Sequence, residues 1–63
     1  MNLLEQMKRK RKKLRWSQER LARELGVSLG AVVAWERDAS RRQPQYLYRE
    51  VIERWLEKEI KEV

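Results

Sequence analysis

The chain has 63 residues and a mass of 7.8 kDa, which leaves room for one domain, residues 1–63, and for no large enclosed pocket. It has no cysteine and no histidine, so disulfide stapling, thiolate-ligated zinc and imidazole chemistry are excluded together. Sixteen Lys and Arg against ten Asp and Glu give a net charge of +6, which points to a polyanionic partner, either nucleic acid or an anionic membrane surface. The excess is uneven: residues 1–43 carry 12 basic and 5 acidic side chains, and residues 44–63 carry 4 and 5. No apolar run approaches the roughly 20 residues that span a bilayer. The start, Met1-Asn2-Leu3-Leu4-Glu5, lacks the basic-then-apolar order of a secretory leader. The expectation is a soluble domain inside the cell.

Leu, Arg, Lys, Glu and Gln dominate, and no segment alternates apolar with polar residues over a strand's length. The fold class expected is therefore all-α. The first helix starts after Asn2, with Glu5 completing a capping box. Leu3 or Leu4, Met7 and Leu14 form its apolar stripe. Between them, Lys8 to Lys13 are six adjacent cations, which repel one another along a helix. The run is either a solvated face or a face offset by phosphates. Lys10 lies near the apolar side and is expected to snorkel outward.

Ser17 reads as the cap of a second helix, with Trp16 packing ahead of it like a staple. That helix runs to Leu25 and stops at Gly26, which suits a left-handed C′ position. Ser28 caps a third helix over about 29–36. Residues 37–43 read as a loop, and Pro44 suits the first position of a final helix running to about Lys61. That helix carries Leu47, Tyr48, Val51, Ile52, Trp55, Leu56, Ile60 and Val63, too wide a stripe for one contact. Part of it should cover the first helix. Trp55, Leu56 and Ile60 are candidates for a dimer seam, unless Trp55 caps the core of the monomer.

Residues 18–37 carry the strongest signal. Leu21, Leu25, Val27, Val32 and Trp35 converge on one core. Ala22 supplies the small side chain that a steep helix crossing needs, and Gly26 the residue with φ > 0 in a short turn. Gln18-Glu19-Arg20-Leu21-Ala22-Arg23-Glu24-Leu25-Gly26-Val27-Ser28, then Val32 and Trp35-Glu36-Arg37, resembles the XRE-like helix-turn-helix family of phage Cro and repressor proteins. The resemblance covers roughly residues 7–47. It implies a compact four-helix bundle, a lambda-repressor-like DNA-binding domain, whose second motif helix lies in the major groove. It also implies that Gln18 contacts the DNA backbone and buttresses that helix. Arg11 and Glu36 match a structural ion pair. Arg37, Arg41 and Arg42 fall where the family follows phosphates, and Gln45 and Tyr46 sit at another frequent backbone contact.

Three departures stand out. With Val32 and Trp35 inward, rotation by 100° per residue points Leu29, Gly30, Val33 and Ala34 outward, with Ala31 at the margin. Relatives place hydrogen-bonding side chains there; this chain offers almost no donor or acceptor. Such a face can read thymine methyls, rely on DNA shape, or bind protein instead. Arg15 stands where relatives have glycine, so either the turn differs or a left-handed arginine is tolerated. Asp38 replaces a common helix-ending Gly or Asn.

The expected function is a sequence-specific regulator, repressor-like, binding double-stranded DNA with helix 29–36. Ser17 and Ser28 mark helix N-termini that can hold phosphates. A homodimer through the C-terminal helix is expected, with no metal, cofactor, membrane or small-molecule effector. The location implied is the cytoplasm of a prokaryotic host, nucleoid-associated or phage-encoded. The alternative is an interaction module of antitoxin or anti-repressor type. Catalysis is not expected: no paired carboxylates share a plausible cleft. The Lys8–Lys13 segment has too few apolar residues opposite its charge for a membrane-surface helix.

Overall fold

A computed structural model describes residues 2–39 and 46–58. Four helices follow in order: α1 Leu3–Lys13, α2 Gln18–Leu25, α3 Leu29–Arg37 and α4 Tyr46–Glu57. No strand occurs among the described residues, so the all-α reading holds.

The helix starts follow local side-chain chemistry. Asn2 Oδ1 accepts the Glu5 amide at 2.9 Å, and the Glu5 carboxylate reaches back to the Asn2 amide. The Asn2 side-chain amide also donates to the Ala39 carbonyl. One residue therefore starts α1 and secures the chain beyond α3. Ser17 Oγ accepts the Arg20 amide at 3.0 Å, and Ser28 Oγ the Ala31 amide at 3.1 Å. Each satisfies one of the amides that a helix start leaves without an internal partner.

Two of the helix ends share one motif. After α2, the Val27 amide donates to Ala22 and the Gly26 amide to Arg23, with Gly26 at φ 73°. After α1, the Trp16 amide donates to Arg11 and the Arg15 amide to Lys12, with Arg15 at φ 61°. Both are Schellman ends. The turn after α1 is thus the glycine-type turn, built with an arginine. A side chain in that conformation costs about 1–2 kcal/mol. We expect Arg15→Gly to stabilise the domain by about 1 kcal/mol, because glycine's larger freedom in the unfolded chain offsets part of the gain. For a domain of this size the melting temperature should rise by roughly 4–8 °C, measured by circular dichroism. An unchanged or lower midpoint would show that the turn carries no strain.

The core gathers Leu4 and Met7 from α1, Trp16, then Leu21, Ala22 and Leu25 from α2. Val32 and Trp35 from α3, Ala39, and Ile52 and Trp55 from α4 complete it. The α2 helix packs on α3, and α1 lies against α3 and α4. Ala22, on the α2 helix that packs against α3, is buried. The Trp16 and Trp55 rings meet at 5.8 Å, inclined by 41°.

Of the two roles open to Trp55, the structure shows the second: it is 6% exposed and belongs to the core of the monomer. Leu56 is also partly buried against that core, and Ile60 lies outside the described residues. The helix itself ends at Glu57; Pro44 and residues 59–61, over which it was expected to extend, lie outside the described residues.

Lys10 does not snorkel outward. Its ammonium donates to the carbonyls of Trp55, Leu56 and Lys58 and stands 4.6 Å over the Trp55 ring. The end of α4 leaves carbonyls without a helical i+4 partner, and they carry partial negative charge. Crossing beside Lys10, it offers acceptors for all three ammonium donors. Burial first, and the Lys58 charge second, pull the Lys10 pKa below the ordinary lysine range. The carbonyls and the ring oppose that pull by favouring the charged form.

Candidate nucleic-acid interface

The second motif helix, α3, presents a narrow apolar face to solvent. Leu29 is 45% and Val33 38% exposed, and Gly30 is exposed beside them. Ala34 is half-buried, like Ala31, so the open arc is narrower than four outward residues. The helix sits on α2 and α1, and Ala31 packs against the core. Leu29, Val33 and Arg37 follow one another at four-residue spacing, which places them on a single stripe. Arg37 is the last residue of α3 rather than part of the following loop. Its side chain is 70% exposed, and its Nε lies 3.6 Å from the Asp38 carboxylate. Asp38 has φ −110°, so α3 ends without a left-handed residue.

A carbon added at the Gly30 Cβ position would meet nothing within 4 Å. The fold itself does not require a glycine there. Replacing alanine by glycine costs a helix up to about 1 kcal/mol, and less in the first turn. What the glycine provides is bare backbone at the start of α3, where first-turn amides have no internal partner. The start of α2, capped by Ser17, is a second such set of amides.

Behind α3 lies a buried polar network. Arg11 Nε and Nη2 donate to Glu36 Oε2 and Oε1 at 2.7 and 2.8 Å. Gln18 Nε2 donates to Glu36 Oε1 at 3.2 Å, and Arg11 Nη1 to the Trp16 carbonyl at 2.7 Å. The Glu36 side chain is 3% exposed and that of Arg11 13%. The two-pronged guanidinium–carboxylate geometry fixes both partners. One carboxylate thus ties together α1, the turn before α2, the first residue of α2 and the end of α3. Gln18 can only donate to a carboxylate, which settles which way its amide points.

Arg41, Arg42 and Gln45 lie outside the described residues, and Tyr46 is the first residue of α4. The remaining expected site residues, Ser17, Gln18, Ser28, Leu29, Gly30, Val33 and Ala34, lie on α2 and α3 or at their caps. The Lys10 clamp, and the tie from Asn2 to Ala39, were not read from the sequence. Among the described residues no helix is long and apolar enough to cross a membrane, and no cluster of acidic side chains could hold a metal ion.

A helix-turn-helix family model matches residues 7–47. Comparisons with curated proteins and with solved structures return no match. The family match begins in α1, runs through both capped motif helices and the left-handed turn at Gly26, and ends in α4; the chain belongs to the XRE-like helix-turn-helix family, a DNA-binding fold.

Proposed function

We propose that the protein is a sequence-specific regulator of transcription, repressor-like, that binds double-stranded DNA by placing α3 in the major groove. The observation that carries this reading is the open stripe of α3. It is uncharged until Arg37, stripped to backbone at Gly30, and set beside two capped helix starts. In this reading the amides behind Ser17 and Ser28 and the side chain of Gln18 hold phosphates. Arg37, Arg41 and Arg42 do the same, with Gln45 and Tyr46 as further backbone contacts. Leu29, Gly30, Val33 and Ala34 face the bases. They carry no hydrogen-bonding side chain, so discrimination comes from contact with thymine methyls and from DNA shape.

Pairing of two copies through the C-terminal helix belongs to the same reading. It would set two α3 helices on half-sites about 34 Å apart. The test is selection of bound sequences from a random duplex pool. A palindrome containing T-rich positions is expected; recovery of no preferred sequence would end the sequence-specific reading.

Two substitutions probe its parts. Arg41→Ala with Arg42→Ala should weaken binding to all sequences alike. It should also lower the salt slope of log K by about 2, measured by anisotropy across a salt series. A changed sequence preference would instead make these arginines base readers. Gly30→Ala should raise the melting temperature slightly while weakening DNA binding by roughly tenfold, about 1.4 kcal/mol. Unchanged binding would mean that the backbone does not approach the duplex there.

A second reading, an antitoxin or anti-repressor type of interaction module, draws on the same exposed Leu29 and Val33. There, neutralising Arg41 and Arg42 would leave partner binding intact.

A further inference from the structure

The six cations of residues 8–13 do not share one role. Arg11 is taken up by Glu36 and the Trp16 carbonyl, and Lys10 by the end of α4. Lys8 and Lys12 are one helical turn apart, so they project from one side of α1. Neither has an ion-pair partner among the described residues. With Arg9, Arg37 and Ala39 they line a shallow open cleft of about 410 Å³. The cleft also touches Glu36, but both oxygens of that carboxylate are engaged by Arg11 and Gln18. Glu5, the other acid on the wall, closes the cap of α1. Four cations against two acids leave the cleft net positive. Arg37 also continues the Leu29–Val33 stripe, about 12 Å beyond Leu29 at 1.5 Å per residue. A duplex lying along that stripe reaches the cleft at the end of α3.

We propose that this cleft seats a backbone phosphate of the bound duplex, held by Lys8 and Lys12 of α1 together with Arg37 of α3. The proposal rests on the DNA-binding reading above and assigns it a contact from the first helix, outside the helix-turn-helix motif. It also explains where the repulsion within the basic run is relieved. The phosphate chemistry alone would equally suit a free phosphate, and the experiment separates the two.

Lys8→Gln with Lys12→Gln is compared with Lys13→Gln with Arg23→Gln. Both variants remove two positive charges, and Lys13 and Arg23 are exposed and do not line the cleft. Binding to a random-sequence duplex is followed by anisotropy over a salt series, with folding checked by circular dichroism. The cleft variant should bind about tenfold more weakly at 0.1 M salt, and its salt slope should fall by about 1 for each phosphate it no longer holds. The matched control should weaken by less than threefold. Equal weakening in the two variants, with wild-type binding intact, would overturn the cleft and leave the DNA reading standing. Failure of the wild type to bind duplex at any salt would overturn the reading beneath it. In a parallel titration, inorganic phosphate is added to the free protein at constant ionic strength and amide resonances are followed. Saturation at low millimolar phosphate for residues 8–12 and 37, with duplex binding indifferent to both variants, would assign the cleft to a free phosphate instead.

Discussion

Glu36→Ala should leave little folded protein at ordinary temperature. The carboxylate is buried and accepts three hydrogen bonds, two of them from Arg11. Removing it leaves a largely buried guanidinium with only the Trp16 carbonyl. Breaking a buried pair from one side costs about 3–5 kcal/mol, because the remaining charge stays desolvated. A domain of this length has roughly 3–9 kcal/mol of stability in all, at 0.05–0.15 kcal/mol per residue. The variant should therefore melt near or below room temperature, as read by circular dichroism. Glu36→Gln keeps the shape and one acceptor, and should fall between the two. Replacing both partners, Arg11→Met with Glu36→Leu, should recover most of the stability, since a packed apolar pair removes the stranded charge. A midpoint for Glu36→Ala within a few degrees of the parent would show that the network adds nothing to the fold. Recovery of folding in the double variant without recovery of DNA affinity would show that the pair also aims α3.

What could be read in advance divides along a physical line. The caps at Asn2, Ser17 and Ser28 and the left-handed turn at Gly26 are set by residues within a few positions of one another. Local rules therefore reach them, and the all-α class follows from the same rules and from composition. Arg11 and Glu36 stand 25 positions apart; no spacing rule joins them, and the pair was named only through the family resemblance. The core place of Trp55 and the clamp on Lys10 lie beyond local rules for one shared reason. Both depend on where α4 crosses α1, which places the last carbonyls of one helix over the ammonium of the other. A lysine near an apolar stripe has two outcomes, solvent or a helix end, and helical periodicity cannot choose between them. Ala34 is a smaller case of the same kind. A rotation of 100° per residue gives its direction, but its half-burial depends on how closely the neighbouring helices approach.

The second large effect is expected at Val33. Its side chain lies one turn after Leu29 and one turn before Arg37, and it is exposed enough to be changed without disturbing the core. Val33→Glu should fold with a melting temperature close to the parent's, because the new carboxylate stays in water in the free protein. In a complex with DNA it would sit in the groove between two lines of phosphates and be stripped of that water. Like-charge repulsion and desolvation then act together. Affinity should fall by at least about 100-fold, or roughly 2.7 kcal/mol. Two further variants separate the causes. Val33→Gln has nearly the same size without the charge, so the gap between Glu and Gln measures electrostatics alone. Val33→Thr keeps one methyl and should retain most of the discrimination for thymine if methyl contact is the source. Thr equal to Val in affinity but indifferent to thymine would transfer specificity from methyl contact to DNA shape. A folded Val33→Glu protein with unchanged affinity would remove α3 from the DNA altogether, and its apolar stripe would then be a surface for another protein.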